Sequence, residues 1–435
     1  MAMSDYFSAS AGGDRAFTFE ATKETFGSGA LAEIGAHAKF LGMTRVALYS
    51  DPRVAKLPPV ANVEKSLRDA GIRVTIYDKV VVEPTSASLK AAIAFAQDGD
   101  YDGLVSVGGG SVMDTCKAAN LYSSYPPEDF LDYVNPPIGK GMHAPGALKP
   151  HIACPTTFGT ASECTGLTIF DYEEMNAKTG IASPRIKPSM GIVDPDTLRT
   201  LPIPVVAANG MDVFSHAVES LTARPYTWRP APEDPAMRPL SQGANPYSDI
   251  NCIEAIRLIG ENLEHAVANP DDFAVRERLM FAGMLAGIGF GTAGCNLPHG
   301  MSYAVAGLVT DYRADGWPQD HALVPHGYAV IVNSPSVFRH MGPSCPERHL
   351  RAAIALGAKT DGVNKEPGDI LADKVVDMMR NIGIPNGLSG VGYCEDDISA
   401  LTERAWPQKR VIDNSARPVE KDEIRTMFEG AISYW

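Results

Sequence analysis

Positive charge is what this chain is shortest of: 38 Lys and Arg stand against 52 Asp and Glu, a formal net charge of −14 over 435 residues. That deficit argues against nucleic acid and against an anionic membrane surface as partners. It leaves small anionic substrates open, because a few local cations override the global field. Cysteines number 7, scattered and without a CxxC pair, which points to reduced thiols in a cytosol-like compartment and away from a disulfide framework. No apolar run reaches the length of a membrane span. The first residues (MAMSDYFSASAGGDRAF) have neither an apolar signal core nor an Arg-rich presequence. They read as a short, loose lead-in, and the expected location is cytoplasmic. Internal repeats and low-complexity tracts are missing too. What is present is a globular composition, 45% hydrophobic and 21% charged, in a chain long enough for two domains.

The first half alternates strand-like and helix-like segments. Strands are predicted at residues 45–50 (RVALYS), 72–77 (IRVTIY), 103–107 (GLVSV), 151–154 and 191–193, with helices at 29–41, 61–70, 86–97 and 111–122. That order implies an α/β domain with a doubly wound, mostly parallel sheet, which takes ligands beyond the carboxyl ends of its strands. After residue 194 the apolar spacing turns helical and stays so, at 207–222, 249–269, 272–287 and beyond. An all-α second domain is therefore expected, with the two domains covering residues 1–197 and 198–435. Residues 224–245 (RPYTWRPAPEDPAMRPLSQGAN) interrupt the helices and are dense in proline, so they read as a long ordered loop or lid.

VSVGGGSVMD (residues 105–114) is a strand running into three glycines and then a helix. Glycine lets the backbone approach a ligand closely, and the helix start offers unpaired N–H groups to a phosphate. Ser111 is placed to cap that helix or to donate to a phosphate oxygen. Asp114 either accepts from a ligand hydroxyl or sits near the positive helix end. The spacing is not GxGxxG, and a tight strand-to-helix turn accounts for GGGS as well. PTTFGTASECT (residues 155–165) sets four threonines and a serine after a short apolar strand. Alone it is an ST-rich turn; beside GGGS it suggests a shared dinucleotide site. Asp51, ending the first long strand, has two readings. It partners an adenosine ribose diol, favouring NAD over NADP, or it is a turn residue before Pro52.

MDVFSHAVES puts Asp212 and His216 at i and i+4 of a predicted helix, hence on one face. Further on lie two His-Gly pairs, His299-Gly300 and His326-Gly327, each after a proline and so at a turn or a helix start. Three histidines and a carboxylate suit one divalent ion of the iron or zinc type. By spacing alone each residue also reads as half of an ordinary helical pair or as a satisfied histidine.

Together, GGGSxxD, PTTxGTxSExT, the DxxxH of Asp212 and His216, and the two PHG sites resemble the iron-containing (group III) alcohol dehydrogenase family, from FGSGAL (residues 26–31) to at least Val337. The resemblance implies a dehydroquinate synthase-like architecture: an N-terminal dinucleotide-binding domain, a helical metal domain and an active site in the cleft between them. It implies Asp212, His216, His299 and His326 as metal ligands, with iron(II) ahead of zinc although both accept this donor set. It also implies an NAD site made by Asp51, Gly109, Gly110, Ser111, Asp114, Thr156, Thr157, Thr165 and Lys178.

VEPTSAS (82–88), RPLSQGANPYSD (238–249), PHGMSYAVAG (298–307) and LVPHGYAVIVNSPSVF (323–338) are similar to the hydroxyacid-oxoacid transhydrogenase branch. Ordinary family members have a second histidine one helical turn after the third ligand, where this chain has Tyr303, and commonly an Asn within the stretch VEPTS. That branch implies oxidation of 4-hydroxybutyrate to succinate semialdehyde coupled to reduction of 2-oxoglutarate to 2-hydroxyglutarate, on a nicotinamide that stays bound. The metal would polarise the alcohol or carbonyl oxygen, and Tyr303 would pass a proton outward or serve only as a packing aromatic. Arg238, Gln242 and Asn245 would receive the substrate's remote carboxylate. The rival reading is a plain NAD-dependent alcohol or 4-hydroxybutyrate dehydrogenase that releases NADH. A lyase like dehydroquinate synthase is a third, but it calls for more Lys and Arg beside the metal ligands than PHGMSY or MDVFSHAVES offers. Small hydroxyacids, oxoacids or alcohols are the expected substrates, and a homo-oligomer the expected assembly.

Overall fold

The computed structural model describes Tyr6 and residues 8–175 and 177–435, and in it the chain forms two compact units. One is Ala21–Leu201; the other takes the described residues before Ala21 together with Pro202–Trp435.

The first unit is organised by a six-stranded sheet of β1 (Lys23–Phe26), β2 (Arg45–Tyr49), β3 (Arg73–Tyr77), β4 (Gly103–Gly108), β5 (His151–Pro155) and β8 (Met190–Val193). The spatial order is β1-β8-β5-β4-β2-β3 and every pairing is parallel. Strands covered on both faces are apolar nearly throughout, and the two faces alternate with the pleat. Along β2, Val46 and Leu48 join a core shared with α1 (Ile34–Phe40) and α2 (Pro58–Asp69), whereas Ala47 and Tyr49 join one shared with α3 (Ser86–Asp98) and α4 (Gly110–Ser124). Each such aliphatic side chain contributes roughly 1.5–3 kcal/mol on burial.

This winding decides where a ligand sits. From β2 the chain crosses by α2 to the edge strand β3; it returns by α3 to β4 on the other side of β2 and goes on by α4 to β5. Because α2 and α4 cover opposite faces, the winding reverses between β2 and β4. The crevice beyond the carboxyl ends of those two strands is the binding position of doubly wound sheets. Asp51 follows β2 there, and Gly109 follows β4.

Two features differ from the expectation. Lys23–Phe26 adds a parallel edge strand whose register with Met190–Val193 is set by residues far along the chain. An antiparallel hairpin of β6 (Leu167–Tyr172) and β7 (Ala177–Ala182) also follows the threonine-rich loop.

The second unit is helical, as expected. Its centre is α5 (Ile203–Thr222), packed on α6 (Pro246–Ala268) and α7 (Phe273–Ala293). Nearly every residue from Val205 to Thr222 is buried, so α5 carries no solvent face. It is joined by α8 (Leu297–Gly307), α9 (His326–Ile331), α10 (Ser334–Met341), α11 (Pro346–Ala355), α12 (Pro367–Asn381), α13 (Ile398–Ala405), α14 (Lys409–Ile412) and α15 (Lys421–Glu429). No single helix among the described residues is long and apolar enough to cross a membrane.

Of the expected loose lead-in, residues 1–5 and 7 lie outside the described residues, but the remainder is tied down. Gly13 pairs with Pro230, and the Asp14 N–H donates to Arg229 O at 2.8 Å. The segment is a strap on the proline-rich loop because that loop offers backbone groups no helix satisfies.

Candidate metal centre and nucleotide site

Asp212 and His216 leave the same face of α5, and the first turns of α8 and α9 bring His299 and His326 to them. One ligand atom from each of the four lies within 4.8 Å of the other three. From Asp212 Oδ1 the distances are 3.8 Å to His216 Nδ1, 3.8 Å to His299 Nε2 and 3.6 Å to His326 Nε2. Bonds of about 2.0–2.2 Å to one central ion require separations of this size between neighbouring ligands. The donor set therefore fits a divalent iron or zinc ion. Three of the side chains are 4–6% or 8% exposed and His326 is 38% exposed, so the cluster is closed except on the His326 side.

Why the chain brings these side chains together can be read from packing. A Cβ on Gly327 would stand 2.1 Å from Ala208 O and 3.2 Å from Asp212 Cβ, so α9 meets α5 closely enough to deliver His326 only because the next residue is glycine. The His216 ring stacks on Phe290 of α7, centroids 4.2 Å apart and planes 12° apart, which fixes its rotation. His299 and His326 rings lie 5.2 Å apart.

Glu219, a residue that spacing does not single out, holds the His299 side of the cluster. It lies wholly buried on α5 and accepts from His299 Nδ1–H at 2.6 Å through Oε1. Its Oε2 accepts the backbone N–H of Asn296 at 2.8 Å and of His299 at 3.3 Å. A carboxylate can only accept, so the imidazole proton is on Nδ1 and Nε2 is left bare. His299 Nε2 is buried without a hydrogen-bond partner, the state in which a metal would use it. Burial pulls the His299 ring toward neutrality, but Cys295 and Glu219 outweigh it and raise its pKa well above the ordinary histidine value. The sequence signal was available: Asp212, His216 and Glu219 fall at i, i+4 and i+7 of one helix.

Tyr303 is half-buried on α8 one turn after His299, and its hydroxyl makes no hydrogen bond to another described residue. Arg238, Gln242 and Asn245 are not brought together as a carboxylate cradle. Arg238 donates to Asp14 at 2.9 and 3.1 Å. Gln242 exchanges bonds with the Thr18 backbone at 2.8 and 2.6 Å. Asn245 caps α6 by accepting the Ser248 N–H at 2.9 Å. All three are held by local or strap contacts, which corrects the expectation that they receive substrate.

In the first unit the expected nucleotide residues gather at the carboxyl edge of the sheet. Gly109 caps α4, and no side chain caps that helix, so its first N–H groups are left for an anion. The two loops after β4 and β5 lie side by side. A Cβ on Gly109 would meet Thr157 at 3.3 Å, and one on Gly110 would meet Thr160 at 2.8 Å. Thr156 is buried and bonds through its N–H to Gly108 O at 3.0 Å, and Thr165 is buried at the end of the same loop. Asp51 Oδ1 accepts from the N–H groups of Arg53 and Val54 at 2.9 and 3.0 Å, a turn role that leaves the residue at the switch point.

Asp114 and Lys178 face inward instead. Asp114 accepts from the Ser162 hydroxyl at 2.5 Å and the Ile169 N–H at 2.8 Å, with the buried Lys117 ammonium 3.4 Å away. Both its oxygens are engaged within the protein, in keeping with the reading that set it near the start of α4 rather than on a ligand hydroxyl. Burial raises the Asp114 carboxyl above the usual carboxylate range against the pull of Lys117 and Ser162. Lys178 donates to Glu83 at 2.6 Å and stands 3.2 Å from Asp171. Burial alone would lower this ammonium, and the two carboxylates reverse that, holding it above the ordinary lysine value. Glu83 is in the left-handed region at φ 55° and donates its N–H to Ser111 Oγ at 3.1 Å. The VEPTS stretch thereby reaches the start of α4.

Comparison with known proteins agrees with this geometry. The family described as "Iron-containing alcohol dehydrogenase" matches residues 21–195, and "Fe-containing alcohol dehydrogenase family, C-terminal" matches residues 239–432. A protein named "Hydroxyacid-oxoacid transhydrogenase, mitochondrial" from Xenopus laevis is 47% identical over 424 residues, 97% of this chain and 92% of that protein. The Homo sapiens protein of the same name is 46% identical, covering 97% and 91%. Among solved structures, a 1,3-propanediol oxidoreductase superposes with TM-score 0.83 at 29% identity, covering 96% of this chain and 100% of the other. The relatives' names say "mitochondrial", which overturns the cytoplasmic location expected from the N-terminus. With both halves matched and the four ligand atoms converging, the chain is a metal-dependent oxidoreductase and belongs to the iron-containing alcohol dehydrogenase family.

Proposed function

We propose that this enzyme is a hydroxyacid-oxoacid transhydrogenase, oxidising 4-hydroxybutyrate to succinate semialdehyde while reducing 2-oxoglutarate to 2-hydroxyglutarate on one retained NAD. Asp212, His216, His299 and His326 hold the divalent ion, iron(II) by preference. When bound, that ion would supply polarisation of an alcohol or carbonyl oxygen, and the nicotinamide would supply reversible hydride transfer between the two substrates. Glu219 keeps His299 in the tautomer the metal needs. Tyr303, one turn beyond His299, passes the alcohol proton outward. The uncapped start of α4 at Gly109, Gly110 and Ser111 takes the diphosphate, with Thr156, Thr157 and Thr165 lining the neighbouring loop and Asp51 beside the adenosine ribose.

The observation carrying this reading is the convergence of four ligand atoms within 4.8 Å in a chain that is 47% identical to a protein named for this reaction. Purified enzyme given 4-hydroxybutyrate and 2-oxoglutarate, with no added nicotinamide, is expected to form both products in equal amounts. Strict dependence on added NAD, with NADH released, would instead make it a dehydrogenase.

A further inference from the structure

The proline-rich segment holds two more arginines, and they are short of counter-charge. Arg224 comes directly after α5, the helix that carries Asp212, His216 and Glu219. Its Nε is buried without a hydrogen-bond partner. Among the described residues no carboxylate lies within ion-pair distance of Arg224 or Arg229. Asp14, the acid whose field reaches Arg229, already gives both oxygens to Arg238. Asp413 acts on Arg224 only from beyond contact. Burial, with the nearby Arg224 charge, draws the Arg229 guanidinium down to about 10, and burial lowers Arg224 too. Two guanidinium groups half withdrawn from water repel each other, and an anion between them would relieve both terms.

The backbone at Arg224 is tied to the turn that delivers His299, while that of Arg229 is tied to Tyr226 and to Asp14 of the strap. The Arg224 N–H donates to Asn414 O at 2.9 Å, and the Asn414 side chain donates to the carbonyls of Ala293 and Cys295, each at 3.0 Å. Arg224 O accepts the Ala244 N–H at 2.9 Å, while the adjoining Gly243 N–H donates to Ala293 O at 3.0 Å. Pro225 follows at φ −58°, so the chain leaving Arg224 is rigid. A guanidinium fork on a stiff mount matches a carboxylate in two parallel bonds, which a lysine cannot do.

We propose that Arg224 and Arg229 recognise the carboxylate of the hydroxyacid and oxoacid substrates, at the end remote from the carbon that exchanges hydride. The inference rests on the transhydrogenase reading and supplies the cationic site that Arg238, Gln242 and Asn245 do not. The test compares 4-hydroxybutyrate with 1,4-butanediol, the same carbon chain with a neutral end, in Arg224→Gln, Arg229→Gln and Arg224→Lys. Metal content and Tm are followed in parallel, and inhibition by succinate is measured.

For the glutamine variants, kcat/KM for the acid falls by about tenfold or more, mostly through KM, and succinate inhibition weakens in step. Turnover of the diol stays within about twofold, metal content is unchanged, and the lysine variant recovers part of the loss. Equal losses on acid and diol, or no loss on either in a wild type active on the acid, overturn the arginine pair alone. A wild type that uses the diol and ignores the acid removes the transhydrogenase reading and the pair with it.

Discussion

At the scale of single residues, the site is governed by which atoms have a partner and which are kept without one. Glu219 holds His299 Nδ1–H and two backbone N–H groups of the same turn, so replacing it with Gln disturbs the ligand without opening a cavity. Glu219→Gln is expected to lower metal affinity by about 10- to 100-fold, read by competition with a chelator, with little change in Tm once metal is saturating. An unchanged affinity would mean that His299 is oriented by packing alone. The ligands themselves were legible in the sequence because a helix converts i and i+4 into a shared face. Glu219 was just as legible at i+7 but has no meaning until His299, 80 positions away, is seen to come back to it. Arg238 and Gln242 are the reverse case. Their partners Asp14 and Thr18 lie 224 positions earlier, in a segment that composition presents as loose.

Among the elements, α9 is positioned by a glycine. Gly327→Ala places a methyl against Ala208 O, which cannot yield because it belongs to the buried helix α5. Overpacking of this kind costs about 1–3 kcal/mol, more than the gain of up to ~1 kcal/mol from putting alanine into a helix. The expected outcome is a lower Tm together with loss of metal, because His326 moves with α9. Gly300→Ala is the milder comparison: its new Cβ would meet Ile412 Cγ1 at 3.0 Å, a side-chain contact that needs a shift of only a few tenths of an ångström, where Gly327→Ala would need to move backbone. Equal metal retention in both variants would contradict this account of why each histidine is followed by glycine.

A second element-scale prediction concerns α15. Arg417 and His340 hold the Glu423 carboxyl down to about 2, Arg417 through the larger effect. A depressed carboxyl stabilises the fold above its ordinary value of 4.5, and that contribution is lost as pH falls from there toward 2. Glu423→Gln should therefore lower Tm near neutrality and flatten its acid limb, so that the variant and wild-type curves converge as pH falls toward 2. A parallel downward shift at every pH would show that the interaction is not one of charge.

For the whole molecule, the order of strand-like and helix-like segments was enough to read an α/β unit followed by a helical one, because parallel strands buried on both faces and amphipathic helices have distinct periods. The edge strand Lys23–Phe26 escaped because KETF is short and polar, and its place depends on pairing with Met190–Val193. The hairpin at residues 167–182 escaped because its hydroxyl-rich approach looks like loop. Position in the first unit was legible where topology dictates it: Asp51 and Gly109 end adjacent strands at the point of reversal. Direction of side chains was not, since Asp114 is turned inward by Ser162 and Ile169, residues read as belonging to another loop and to no element.

The account depends most on one divalent ion being held jointly by side chains from α5, α8 and α9. Metal analysis of protein purified without oxygen or added metal measures this directly, for the wild type and for Asp212→Asn and His299→Ala, with folding checked by circular dichroism. The account predicts about one iron or zinc ion per wild-type chain and a near-complete loss in both folded variants. Full metal retention in either folded variant would contradict it.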